Sequence, residues 1–224
     1  MAGFMKAMAA AGALAGALVA TAAGADSLTS VAGDQTPRAG SVTVDFNGTN
    51  GNTTLPNGFS LSGGQLVTGS ANGWSQPLGD NTQYLMVNGG QQATLKSTGQ
   101  GFDGVSLYWG SADSYNTLSV LDTMGNVIRS ITGLDFAAPG ANAPGSNFAD
   151  PKYNQYVTYT LDSLTGQKIG GLKFASGQTA FELDNVSFFN TAPTSVPEPA
   201  TLTLFGAGIG GLLAASRRRR KKTA

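Results

Sequence analysis

Between Ser41 and Asn190 the apolar positions fall in short runs with a period of two, separated by Gly, Asn, Asp and Pro. Val42, Val44 and Phe46 alternate with Thr43 and Asp45. Val105, Leu107 and Trp109 share one parity, and Ser106, Tyr108 and Gly110 the other. Val157, Tyr159 and Leu161 alternate with threonines. Alternation sends successive side chains to opposite faces of an extended chain, so each run predicts a strand with one buried face. Asn88-Gly89, between Tyr84–Val87 and Ala93–Leu95, predicts a hairpin. Asp122–Asn126 predicts a second turn, between Leu118–Leu121 and Val127–Ile131. Ile169–Phe174 and Phe181–Phe189 close the region. No window keeps an apolar helical period. The expectation is an all-β domain over residues 41–190, an antiparallel β-sandwich of jelly-roll type with about ten short strands. Its 150 residues suffice for one core of ordinary size.

The last run changes phase. Phe181 and Leu183 are odd-numbered and Val186 and Phe188 even, which a bulge at Asp184-Asn185 would reconcile. Phe136–Pro151, with three prolines, is the longest irregular segment, and its few charges give it no chemistry.

Both ends of the chain differ from this domain. Lys6 is the only charge before Asp26, an apolar stretch runs from Ala7 to Ala23, and Ala23-Gly24-Ala25 has the small-x-small form of a signal-peptidase site. Residues 1–25 therefore read as a signal peptide and 26–40 as a flexible leader. At the other end, residues 191–199 form a linker holding Pro197-Glu198-Pro199. Residues 200–216 are 17 uncharged positions, about 26 Å as a helix, short but sufficient for a transmembrane segment. Arg217, Arg218, Arg219, Arg220, Lys221 and Lys222 follow, a stop-transfer block that stays in the cytoplasm as a basic tail over 217–224. Proline on both sides holds Glu198 extended, a geometry proteases need.

The whole chain is formally neutral, but residues 26–199 hold all 13 carboxylates and six cations, a net charge of 6 − 13 = −7. That balance disfavours nucleic acid as a partner. There is no cysteine and no histidine, which removes disulfides, thiol chemistry, Ser-His-Asp triads and the usual zinc ligands. Paired carboxylates still offer a route to catalysis.

Val196-Pro197-Glu198-Pro199-Ala200, the glycine-bearing apolar run and the terminal cation cluster resemble the PEP-CTERM sorting signal. That resemblance implies processing by exosortase, a membrane enzyme of Gram-negative, exopolysaccharide-producing bacteria. It further implies transient anchoring in the inner membrane, then delivery to the cell surface, the extracellular matrix or a biofilm. The closing stretch AFELDNVSFF resembles the last strand of carbohydrate-binding jelly rolls, where an aspartate helps hold a structural calcium. Carried over, that role falls on Asp184, with Asp45 of the first strand as its partner. The polar loop 110–116 offers Asp113 and Asn116 to sugar hydroxyls, with Tyr108 or Tyr115 as a stacking face. Trp109 reads as core and Trp74 as a loop residue. The expected function is a non-enzymatic exported protein whose sandwich binds or structures exopolysaccharide. The alternatives are a secreted glycan-active enzyme using two carboxylates and a permanently anchored surface protein.

Overall fold

The computed structural model describes residues 25–99, 101–136, 149–162 and 165–191. Residues 1–24 of the signal segment with Ala23, the sorting motif Val196–Pro199, the predicted membrane helix and the Arg217–Lys222 tail lie outside them, as do residues 137–148 of the long loop, whereas Ala25 lies within them. Among the described residues no helix is long and apolar enough to cross a membrane.

The strands are β1 (Ser27–Ala32), β2 (Val42–Val44), β3 (Gly48–Thr49), β4 (Asn52–Thr53), β5 (Phe59–Gly63), β6 (Gln65–Thr68), β7 (Gln83–Val87), β8 (Gln92–Ser97), β9 (Gly104–Gly110), β10 (Asn116–Asp122), β11 (Val127–Thr132), β12 (Gln155–Thr160), β13 (Ile169–Ser176) and β14 (Phe181–Phe189). One sheet runs β1-β12-β9-β14-β7-β6, with β2 also beside β14. The second runs β11-β10-β13-β8-β5, and β3-β4 form a small separate hairpin. Every strand pairing is antiparallel, and the two sheets pack face to face as the sandwich that alternation predicts. Among the described residues fourteen short strands replace the ten expected, because two-residue pieces such as β3 and β4 are too brief to show a period.

The core follows from the alternation. Val105, Leu107 and Trp109 of β9 and Phe181, Leu183, Val186 and Phe188 of β14 face Leu118, Val120, Leu172, Phe174 and Leu95 of the other sheet, all buried. Trp109 stacks on Phe181 at 4.3 Å between ring centroids. The phase change in β14 is a bulge, as expected. Its register shifts between Asp184 and Ser187, and Asn185 takes a positive φ of 53°. At this point the neighbour of β14 switches from β7 to β2.

Two expectations are corrected. Asn88-Gly89 does not close a hairpin. β7 belongs to the first sheet and β8 to the second, so the turn carries the chain over the edge of the sandwich. Sequential runs with a tight turn fit either arrangement, and burial on both sheets favours the corner. Residues 26–40 are likewise not a free leader. β1 pairs with β12 along its whole length, and the Asp26 carboxylate accepts from the Tyr159 hydroxyl and the Asp162 amide. Arg38 then lies over the Phe189 ring at 5.2 Å. Among the described residues the folded domain therefore reaches back to Asp26.

Candidate functional site

The segment 69–82, between β6 and β7, crosses the outer face of the first sheet as a strap. Tyr84 and Tyr108 alternate with core residues and so point outward, where their hydroxyls donate to the carbonyls of Gly69 and Leu78, each at 2.6 Å. The Leu78 amide donates to Asn154 Oδ1 at 3.0 Å. Pro77 sits so close over Gly110 that a β-carbon there would lie 2.9 Å from the proline ring, so this position admits only glycine without moving the strap. Trp74 and Val67 pack on Tyr84, Met86 and Ala180, a small apolar cluster on the opposite side of the sheet from the main core.

The strap buries two carboxylates of one strand. Glu182 and Asp184 stand two apart on β14, both on the outer face, and both are buried. On one side of the strap, Glu182 lines a cavity of about 220 Å³ with Trp74, Ser75, Ser111, Asp113, Tyr115 and the backbone around Thr179-Ala180. The Ser75 amide donates to Glu182 Oε1 at 2.9 Å. The Trp74 indole N–H is buried without a hydrogen-bond partner. Burial pushes Glu182 up to about 8, with the nearby Asp113 charge adding to the rise. Burial also pushes Asp113 up to about 6, against the lowering effect of its hydrogen bond with Tyr115. The Tyr115 hydroxyl is raised by burial and then by Asp113, and lies 3.4 Å from the Thr179 carbonyl. At neutral pH Glu182 is thus a neutral acid and Asp113 is mostly a carboxylate, one donor and one acceptor facing a single cleft beside two aromatic rings.

On the other side of the strap, Asp184 Oδ1 and Asp80 Oδ2 are both buried without partners. The Thr82 hydroxyl bridges the two residues, 2.6 Å from Asp80 Oδ1 and 3.4 Å from Asp184 Oδ2. Burial above all, with the charges of Asp80, Asp45 and Asp34 adding to it, raises Asp184 to about 9. Asp34 itself accepts from Asn185 Nδ2 at 2.7 Å. Two orphaned carboxylate oxygens and a hydroxyl are hard donors of the sort calcium takes. Among the described residues, however, no three Asp or Glu side chains gather closely enough to enclose a metal ion by themselves. A cation here would draw on carbonyls or water as well.

The four residues named in the 110–116 loop divide. Asp113 and Tyr115 reach the cleft. Tyr108 is buried under the strap and serves to hold it. Asn116 is buried too, donating to the Ala180 carbonyl at 2.9 Å and accepting from Ser176, so it fixes the cleft floor and is not available to a ligand. Asp45 is exposed and accepts from the Asn47 amide at 3.1 Å, and Asp80 takes the place expected of it beside Asp184. Trp109 is core and Trp74 is half-buried at the cleft. Glu182 was missed by the sequence reasoning, although its parity with Asp184 was readable. What was not readable is that a loop covers that face.

Residues 195–221 match the PEP-CTERM protein-sorting motif, which marks an exported protein processed by exosortase. No curated protein matches the chain. Among solved structures, one that is similar is the catalytic unit of a thermostable GH87 α-1,3-glucanase from Streptomyces thermodiastaticus strain HF3-3. It is 14% identical with a TM-score of 0.36, over 63% of this chain and 28% of that one. The chain therefore spans little more than a quarter of that enzyme's length.

Proposed function

We propose, from the sorting motif at residues 195–221, that this is a cell-surface or extracellular-matrix protein whose sandwich holds exopolysaccharide in the cleft beneath the strap. The observation that carries the binding role is the convergence of Trp74, Tyr115, Asp113 and Glu182 on one small cavity. An aromatic face beside a few placed polar groups is what a sugar ring requires, apolar C–H on one side and hydroxyls on the rim. The cavity is below drug-ligand size and matches about one ring of a longer chain. A Trp74→Ala/Tyr115→Phe variant is expected to lose binding to the host's purified exopolysaccharide while keeping its melting temperature within a few degrees. Unchanged affinity would remove the cleft from the account.

Sorting is tested separately. A chain with Pro197, Glu198 and Pro199 all changed to alanine should stay in the inner membrane at full length, while the parent is shortened and released. Mass spectrometry of the mature C-terminus distinguishes release from permanent anchoring. If both proteins mature alike, the sorting reading is wrong. Asp184 with Asp80 would hold calcium, a structural ion tying β14 to the strap. Added calcium should then raise the melting temperature of the parent and leave an Asp184→Asn variant unmoved.

A second reading rests on the same cleft. Two carboxyl groups whose environments separate their proton affinities are the arrangement of a glycosidic acid and base. In that case Glu182 gives a proton to the leaving oxygen and Asp113 takes one from the attacking water. Appearance of new reducing ends from the bound polymer, abolished by Glu182→Gln, would favour it over binding alone.

A further inference from the structure

Charged residues within the strands are sorted by sheet. The strands of the seven-stranded sheet hold Glu182 and Asp184 and no cation. Those of the five-stranded sheet hold Lys96, Arg129 and Lys173 against a single carboxylate, Asp122. Asp122 is bonded within its own turn to Met124 and Asn126, and Arg129 lies 3.7 Å from Asp135. Lys96 and Lys173 form no ion pair among the described residues.

The register places these two lysines together. Ser130 is opposite Ser119, Ser119 opposite Lys173, Lys173 opposite Thr94 and Thr94 opposite Ser62. Directly opposed residues share a face, so a polar ladder crosses all five strands with rungs about 4.8 Å apart. Leu118, Leu172 and Leu95, the intervening positions, point the other way into the core. In the next row Gly171 is opposite Lys96, which in turn is opposite Ser60. Lys96 and Lys173 are therefore diagonal neighbours, about 7–8 Å apart at the backbone. Gly171 between them has no side chain to fill the gap. Two like charges at this spacing repel, and a negative group set between them is attracted by both.

We propose that the outer face of the five-stranded sheet binds an acidic polysaccharide, with a carboxylate of the sugar chain between Lys96 and Lys173 and its hydroxyls on the exposed Ser60, Ser62 and Ser130, the middle rung Ser119 being buried. Local charge complementarity favours this occupant despite the domain's net charge of −7, because two lysines without ion pairs among the described residues attract a carboxylate and offer a neutral chain hydrogen bonds alone. The face is on the opposite side of the sandwich from the strap, so the inference is independent of the cleft. A protein with both would join two polysaccharide chains.

The test is affinity electrophoresis of the full chain through gels containing alginate, a polyuronate, or dextran, a neutral polymer. Arg217–Lys222 are replaced by alanine throughout so that the tail does not itself retain the polyanion. The parent should be retarded by alginate, less so at raised salt. Lys96→Ala/Lys173→Ala should weaken alginate affinity about tenfold, the scale of two surface charge contacts. Lys152→Ala/Lys168→Ala, the same charge change off this face, should not, and Lys96→Arg/Lys173→Arg should retain binding. The proposal is overturned if the two alanine pairs behave alike, if the arginine pair loses binding as well, or if the Lys96/Lys173 change abolishes self-association instead, which would make a second copy the occupant.

Discussion

Glu182→Gln is expected to stabilise the domain at neutral pH and to lose that advantage in acid. Glu182 is 2% exposed, and its folded-state proton affinity is raised to about 8 from a reference of 4.5. Between these values the folded protein retains a proton that the unfolded chain has released. Stability therefore falls as pH rises through this window, by about 1.4 kcal/mol per unit at most. By pH 7 the accumulated cost is about 3 kcal/mol, from 2.5 units at that rate. Glutamine keeps the volume, and its oxygen still accepts from the Ser75 amide, so the substitution removes the cost and little else. Urea unfolding of both proteins at pH 4 and pH 7.5 measures the difference. The variant should equal the parent at pH 4 and exceed it at pH 7.5, with unchanged m-values. Parallel pH slopes, or a variant less stable at pH 7.5, would show that Glu182 is ionised and compensated in the fold and that the burial argument is wrong.

Trp109→Ala removes the ring stacked on Phe181 and packed at 5.1 Å against Phe136, and should cost about 3–5 kcal/mol in the same assay. Asp26→Ala frees the Tyr159 hydroxyl and the Asp162 amide and should cost about 1–2 kcal/mol, with faster amide exchange along β1 as its signature. Gly110→Ala drives a methyl into Pro77 and should lift the strap, lowering glycan affinity in isothermal titration more than it lowers stability.

The strands with a buried face were legible because alternation is a local property. Val105–Trp109 and the bulge in Phe181–Phe189 were read from parity alone, and both hold. β1 was not, since Ser27, Thr29 and Ser30 carry little apolar signal and the strand is an edge whose stability comes from β12. The corner at Asn88 fails for a related reason. A turn fixes how two strands connect, whereas the sheet each one joins depends on partners distant in sequence. Half of the cleft was found, Asp113 and Tyr115, because they share one loop. Glu182 comes from a distant strand whose outer face the strap covers, and the carboxylates around Asp184, namely Asp80 and Asp34, come from two further separate segments.

The strand that enters last is also the one at the centre. β14 lies between β9 and β7 in the larger sheet, so that sheet stays split until residues 181–189 have paired. Only five residues separate Phe189 from Ser195, where the sorting motif starts, a reach of about 20 Å at full extension. On the proposed route, completion of the fold and exposure of the processing segment would therefore fall close together. A chain cut on that route before residues 181–189 have paired would leave with the two halves of its larger sheet unjoined.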